Sequence, residues 1–176
     1  MPTSDWDTMP AICKEIHRLQ PQSVMDLGVG AGKYGVLARE VLDGQHGRVR
    51  PELWTHRIVG IEAHGPYRNP AWGAYDWVGV SNFTETIIAG HGLVLVVDAL
   101  EHLLPEQGRA FLAALVRDNK HVIVSVPLGL MNQGATFGND YECHRTTFHG
   151  HEFSGFPGVS QLHRGLCLAV SIPGGS

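Results

Sequence analysis

Residues 23–35 read SVMDLGVGAGKYG, from Ser23 to Gly35, and this stretch decides the fold. Val24 to Leu27 have the short, mostly apolar character of a buried strand. Gly28, Gly30 and Gly32 then turn the chain. Beyond the turn, Tyr34, Leu37, Ala38, Val41 and Leu42 recur at helical spacing. The predicted unit is a strand, a glycine turn and a helix. Such a turn aims backbone N–H groups and the positive end of a helix at whatever binds there. Glycine also tolerates positive φ and lets a ligand approach the main chain.

Two phosphate-binding patterns fail on this turn. A P-loop needs G-x-x-x-x-G-K-[ST], but Tyr34 follows Gly32-Lys33 and the first glycine would fall on Leu27. A dinucleotide turn needs G-x-G-x-x-G, and its third glycine would fall on Lys33. What remains is Asp-x-G-x-G-x-G, on Asp26, Gly28, Gly30 and Gly32. By itself this pattern fits either a binding turn or a plain connection.

Composition narrows the partners. The 176 residues suit one domain with a real core. With a net charge of −4, a pI near 6.2 and no basic run, binding driven by nucleic-acid phosphates is not expected. A small-molecule, sugar or peptide acceptor fits better. Cys13, Cys143 and Cys167 are odd in number, far apart and without C-x-x-C, which suits a reducing cytoplasm. The first ten residues lack the pattern of a signal peptide, and the longest plain apolar run, Leu93 to Val97, is too short for a membrane span.

Further elements follow in order. Trp6, Met9, Cys13, Ile16 and Leu19 predict a helix over 4–20, with Ser4 and Asp7 resembling a capping box. Residues 44–56 read as a surface loop. Arg57 to Ile61 predict a second strand ending on Glu62. In a doubly wound sheet, a carboxylate there accepts from the two hydroxyls of a ribose. Residues 63–74 predict at most a turn of helix, Tyr75 to Val80 a third strand, and Thr84 to Ala89 a short helix. Leu93 to Val97 are the fourth strand. Pro105 opens a helix whose core face is Phe111, Leu112, Leu115 and Val116, and His121 to Val126 are the fifth strand. Residues 128–153 have no period yet are rich in Tyr, Phe, His and Arg, so they read as an ordered lid over a ligand site. Residues 158–163 and Leu166 to Ile172 predict an antiparallel hairpin.

This order resembles the class I S-adenosylmethionine-dependent methyltransferases. MDLGVGAGKYG, IVGIEAHGPY, LVLVVDALEHL and VIVSVPLG carry the resemblance along nearly the whole chain. Gln133, Gly138-Asn139, Tyr141-Glu142 and His144-Arg145 further resemble a pattern of small bacterial and phage methyltransferase-like proteins. The resemblance implies a doubly wound α/β/α sandwich whose seven-stranded, mostly parallel sheet ends in an antiparallel hairpin. It implies S-adenosylmethionine as cofactor, with Asp26, Gly28, Gly30 and Gly32 holding the methionine portion. Glu62 would take the ribose, and Ala63, Asn82 and Phe83 would flank adenine. An acidic residue is usual near the adenine amino group; Asn82 stands there instead. Asp98, Ala99 and Leu100 would line the methionine end.

Methyl transfer asks for alignment of the acceptor and, for a hydroxyl, removal of a proton. His144 in the lid is the leading base or orienter, with Tyr141 and Glu142 to position it. His102 is either a second such group or a residue fixed at a helix start by Glu101. Tyr34 either closes over the cofactor or packs as a core aromatic. Cys143, His144, His149 and His151 are zinc-capable, but their spacing matches no finger, and no metal is expected. The competing function is a methyltransferase-like module that binds cofactor or a partner without catalysis.

Overall fold

The computed structural model describes residues 4–129 and 132–175. Its centre is a seven-stranded sheet in the order β3-β2-β1-β4-β5-β7-β6. The strands are β1 Ser23–Leu27, β2 Arg57–Glu62, β3 Trp77–Val80, β4 Leu93–Val97, β5 His121–Pro127, β6 Ser160–Arg164 and β7 Cys167–Pro173. The first five run parallel, and β7 is antiparallel to both β5 and β6. Strand order reverses between β1 and β4, the point where a crevice opens beyond the carboxyl ends of a doubly wound sheet.

Alternation along the strands divides the core in two. Val24, Ile58, Leu93, Leu95 and Ile123 face helices α1 (Met9–Leu19) and α2 (Lys33–Leu42). Met25, Leu27, Val59, Ile61, Val94, Val96 and Val124 face the other way, towards α3 (Pro105–Asp118). Both faces of the central strands are covered, which explains their nearly continuous apolar runs. Among the described residues, no helix is long and apolar enough to cross a membrane.

Several local expectations are corrected. Helix α1 begins at Met9 after Thr8, with no side-chain cap, because Ser4 is engaged elsewhere: its carbonyl and Oγ accept from Lys33 Nζ at 2.8 and 2.9 Å. The helix predicted over 84–89 is only one turn, Phe83–Glu85. The Asn82 side chain accepts from both the N–H and the hydroxyl of Thr84, and Thr86 is already extended. Strand β3 starts at Trp77 rather than Tyr75. Asp76 is drawn out of it, its Oδ2 accepting from the Ile58 N–H at 2.6 Å and from Arg39 Nη2 at 3.0 Å.

The aperiodic segment after β5 is seated on the body. The Gly129 N–H donates to the Phe148 carbonyl at 2.9 Å, and the N–H groups of Arg145 and Thr146 donate to the Glu101 carbonyl at 2.8 and 3.0 Å. Phe148 and Phe153 stack and are buried in the α3-side core.

Candidate functional site

A cavity of about 710 Å³ opens at the carboxyl ends of β1, β2 and β4. The glycine turn forms its floor. Gly28, Gly30 and Gly32 all have positive φ, at 81°, 52° and 86°, so each glycine sits where a side chain would be strained.

The turn satisfies its own donors to a degree the sequence does not reveal. Gly28 and Val29 donate to the Ile61 carbonyl at 2.9 and 3.3 Å, and Gly32 donates to the Val29 carbonyl at 2.8 Å. The Gly30 N–H is taken by Glu62 Oε2 at 2.7 Å. The turn's carbonyls are clamped by a segment with little sequence signal: Trp72 Nε1 donates to Gly30 at 2.9 Å and Asn69 Nδ2 to Ala31 at 3.2 Å. The expectation of free N–H groups around the turn is therefore revised, since four of them are committed within the protein.

Glu62 ends β2 at the cavity wall and is almost fully buried. Its other oxygen, Oε1, accepts from the His64 N–H at 2.8 Å. Each oxygen thus takes one backbone donor and keeps a lone pair for a further one. Burial raises its pKa, opposed by these two hydrogen bonds.

Asp98 follows β4 in the left-handed region, at φ 48°. Its Oδ1 accepts from the Ser125 hydroxyl at 2.7 Å and its Oδ2 from the Asp5 N–H at 2.8 Å. The second bond draws the segment before α1 over the cavity. Lys33 completes this corner, bonded to Ser4 and lying 5.0 Å from the Trp6 ring centroid. Sequence reasoning gave Ser4 and Lys33 other roles and passed over Asp5, because no motif marks any of the three as a site residue.

Beyond Asp98, the single turn Leu100–His102 brings Glu101 and His102 to the wall. His102 Nδ1 lies 3.2 Å from the Cys143 carbonyl, and its ring meets that of His144 edge-on at 5.1 Å. His144 Nε2 is 4.0 Å from Glu101 Oε1. One ligand-capable atom from each of Glu101, His102 and His144 lies within 4.8 Å of the others. Burial lowers the His102 pKa and raises that of Glu101 well above the ordinary range.

Gly28, Gly30, Tyr34, Glu62, Ala63, Asn82, Phe83, Asp98, Ala99, His102, Tyr141 and His144 all line the cavity. Asp26, Gly32 and Leu100 stand outside its wall. Asp26 points to the α2 side of the sheet, where the Tyr75 hydroxyl donates to its Oδ2 at 2.5 Å while accepting from the Gly35 N–H at 2.9 Å. Burial raises the Asp26 carboxyl to about 7, despite the Tyr75 hydrogen bond. Gly32 packs on Trp72, and Leu100 is a core residue. His149 and His151 stack on each other and do not line the cavity.

Solved structures share this fold. The N-terminal domain of EvdMO1, in the presence of S-adenosylhomocysteine and D-fucose, superposes with a TM-score of 0.64 at 15% identity, over 98% of this chain and 84% of that one. The methyltransferase domain of bacterial CtHen1 gives 0.64 at 16% identity, over 97% and 98%. The Burkholderia thailandensis 1,6-didemethyltoxoflavin-N1-methyltransferase, with bound 1,6-didemethyltoxoflavin and S-adenosylhomocysteine, gives 0.63 at 18% identity, over 97% and 79%. No protein-family profile and no curated protein sequence matches the chain. The fold is that of the class I S-adenosylmethionine-dependent methyltransferases.

Proposed function

We propose that this chain is an S-adenosylmethionine-dependent methyltransferase acting on a small-molecule or sugar-type acceptor, at oxygen or nitrogen. The observation that carries the reading is the Glu62–Gly30 hydrogen bond at the head of the cavity, in a chain with this fold. It holds a carboxylate with spare lone pairs where a ribose diol needs acceptors.

The other wall residues fit the same ligand. Phe83 offers a ring face and Asn82 an amide to adenine, beside Ala63. Lys33 suits the carboxylate of the methionine portion, and Asp98 with Asp5 suits its ammonium. Gly28, Gly30 and Ala99 leave room along the floor, and Tyr34 closes the side. Asp26 and Gly32 act from behind the wall, through Tyr75 and Trp72, and Leu100 as a core residue below the turn after β4.

The bound cofactor would supply an electrophilic methyl group on a sulfonium. The protein's part is to align the acceptor behind that methyl, exclude water and assist loss of a proton. His102, His144 and Tyr141 line the end of the cavity suited to the acceptor. We assign the described part of 128–153 as its cover, residues 130 and 131 lying outside the described residues, and the whole chain as one methyltransferase domain.

Calorimetry with S-adenosylhomocysteine and with NAD tests the cofactor: the first should bind and the second should not. Transfer of labelled methyl to a panel of alcohols, sugars and amines tests the reaction. Binding without transfer to any of them would favour the non-catalytic module.

A further inference from the structure

We infer that Glu101, His102 and His144 form a binding site for one divalent first-row transition-metal ion at the acceptor end of the cavity. The sequence alone predicts no metal, because its zinc-capable residues sit at unsuitable spacing. The tertiary structure converges a different set, drawn from the turn after β4 and from the cover.

The first argument is the unpartnered oxygen. Glu101 is 1% exposed, and its Oε2 is buried with no hydrogen-bond partner. A buried carboxylate oxygen left without donor or cation costs free energy that native proteins rarely leave uncompensated. Glu101 lines the cavity beside the two imidazoles, its other oxygen, Oε1, 4.0 Å from His144 Nε2, so a cation held by this carboxylate compensates it.

Tautomer control is the second. With Nδ1–H of His102 donating to the Cys143 carbonyl, Nε2 carries the lone pair. A backbone carbonyl fixing the far ring nitrogen is the usual support of a metal-ligating histidine. The Glu101 carbonyl, in turn, accepts from Arg145 and Thr146, which ties the segment bearing His144 to the turn bearing the other two groups. Both pieces of chain are thus held in register by main-chain bonds.

Charge agrees. Asp5, Glu62, Asp98, Glu101 and Glu142 line the cavity against Lys33 and Arg145. Two nitrogens and one oxygen select a manganese- to zinc-type ion over magnesium or calcium, which prefer oxygen ligands alone.

The ion's role in transfer rests on the methyltransferase reading; its binding does not. An acceptor hydroxyl drawn to this cluster would lose its proton to water more readily beside the ion. Its oxygen lone pair would then form the bond to the methyl carbon as the carbon–sulfur bond breaks, leaving the electron pair on a neutral thioether. The acceptor class is accordingly an oxygen nucleophile, such as a sugar or other alcohol hydroxyl, and the two histidines serve as ligands rather than free bases.

The test uses untagged chain stripped of metal by a chelator, titrated with manganese(II) chloride or zinc chloride. Binding is followed by calorimetry and, for manganese, by loss of the free-ion electron paramagnetic resonance signal. One ion per chain should bind. Glu101→Gln and His144→Asn should each weaken binding by about 100-fold or more, given that even outer-shell losses cost about 10- to 100-fold. The double variant His149→Ala/His151→Ala should bind like the parent. S-adenosylhomocysteine affinity and circular dichroism report whether each variant remains folded. Absence of binding by the folded parent, unchanged affinity in Glu101→Gln, or magnesium binding as tightly as manganese would overturn the site. Failure of S-adenosylhomocysteine to bind would instead count against the methyltransferase reading alone.

Discussion

Gly30 and Glu62, 32 residues apart, are joined by one hydrogen bond: the central glycine of the turn donates its N–H to Glu62 Oε2 at 2.7 Å. The floor of the cavity and its acidic wall are therefore one unit. The carboxylate that lines the cavity is also hydrogen-bonded to the turn in its positive-φ shape.

Glu62→Ala should accordingly lose more than a ligand contact. The missing hydrogen bonds to a ribose would cost on the order of 2–3 kcal/mol, or tens- to hundreds-fold in affinity. Glu62→Gln keeps an acceptor for one backbone N–H and should fall between. Calorimetry with S-adenosylhomocysteine measures both; parent-like affinity in Glu62→Ala would remove Glu62 from the ligand site.

Gly30→Val should abolish cofactor binding. Position 30 has φ 52°, which a β-branched residue resists, and its side chain would occupy the floor of the cavity. A folded variant that binds S-adenosylhomocysteine normally would show that the ligand does not lie against this glycine.

Behind the floor, Tyr75 bridges Asp26 and the start of α2. A Cβ on Gly35 would lie 2.0 Å from the Tyr75 ring, which is buried and hydrogen-bonded through its hydroxyl. Gly35→Ala should destabilise by about 1–3 kcal/mol or more, read as a lowered midpoint in urea. A midpoint equal to the parent's would mean that the ring yields freely.

Asp26 also gives a pH dependence with a definite sign. Its folded pKa, about 7, lies above the value of 3.8 for an unperturbed carboxyl. The contribution is full below about 4, where both states are protonated, and is lost as pH rises through about 7. The difference amounts to on the order of 4 kcal/mol. Asp26→Asn keeps an acceptor for Tyr75 and should remove that part of the slope. Denaturant unfolding at several pH values between 4.5 and 8 compares the two; identical slopes would place the Asp26 pKa near its ordinary value.

The cover should respond to ligand unevenly. Residues 145–153 are already fixed by main-chain bonds to Glu101 and by burial of Phe148 and Phe153. Residues 133–142 are held to the body through side chains, with the Tyr67 hydroxyl donating to Glu142 Oε1 at 2.9 Å and Asn139 Nδ2 to that hydroxyl at 3.2 Å. Hydrogen exchange should slow across 133–142 when S-adenosylhomocysteine binds and change little across 145–153. Equal protection of 133–142 with and without ligand would end its assignment as a closing lid.

What the sequence determined by itself was the alternating scaffold and the glycine turn and carboxylate at the head of the cavity. Strand and helix periodicities are local, as are the glycines at positions 28, 30 and 32 and the carboxylate that closes β2, so they could be read residue by residue. The short helix predicted over 84–89 failed because Asn82 satisfies the backbone of Thr84 and ends the turn, a competition that periodicity does not register. Tertiary structure alone decided which polar groups converge. Asp26 has the place of a ligand residue in the motif, yet strand alternation turns it to the α2 side and gives it to Tyr75. Ser4 and Asp5 reach the cavity only because Lys33 and Asp98 bind them, across separations of 29 and 93 residues. Glu101, His102 and His144 meet only because main-chain hydrogen bonds lay the cover on the turn after β4. Such contacts depend on where the whole sheet places its loops, and no window of sequence contains both partners.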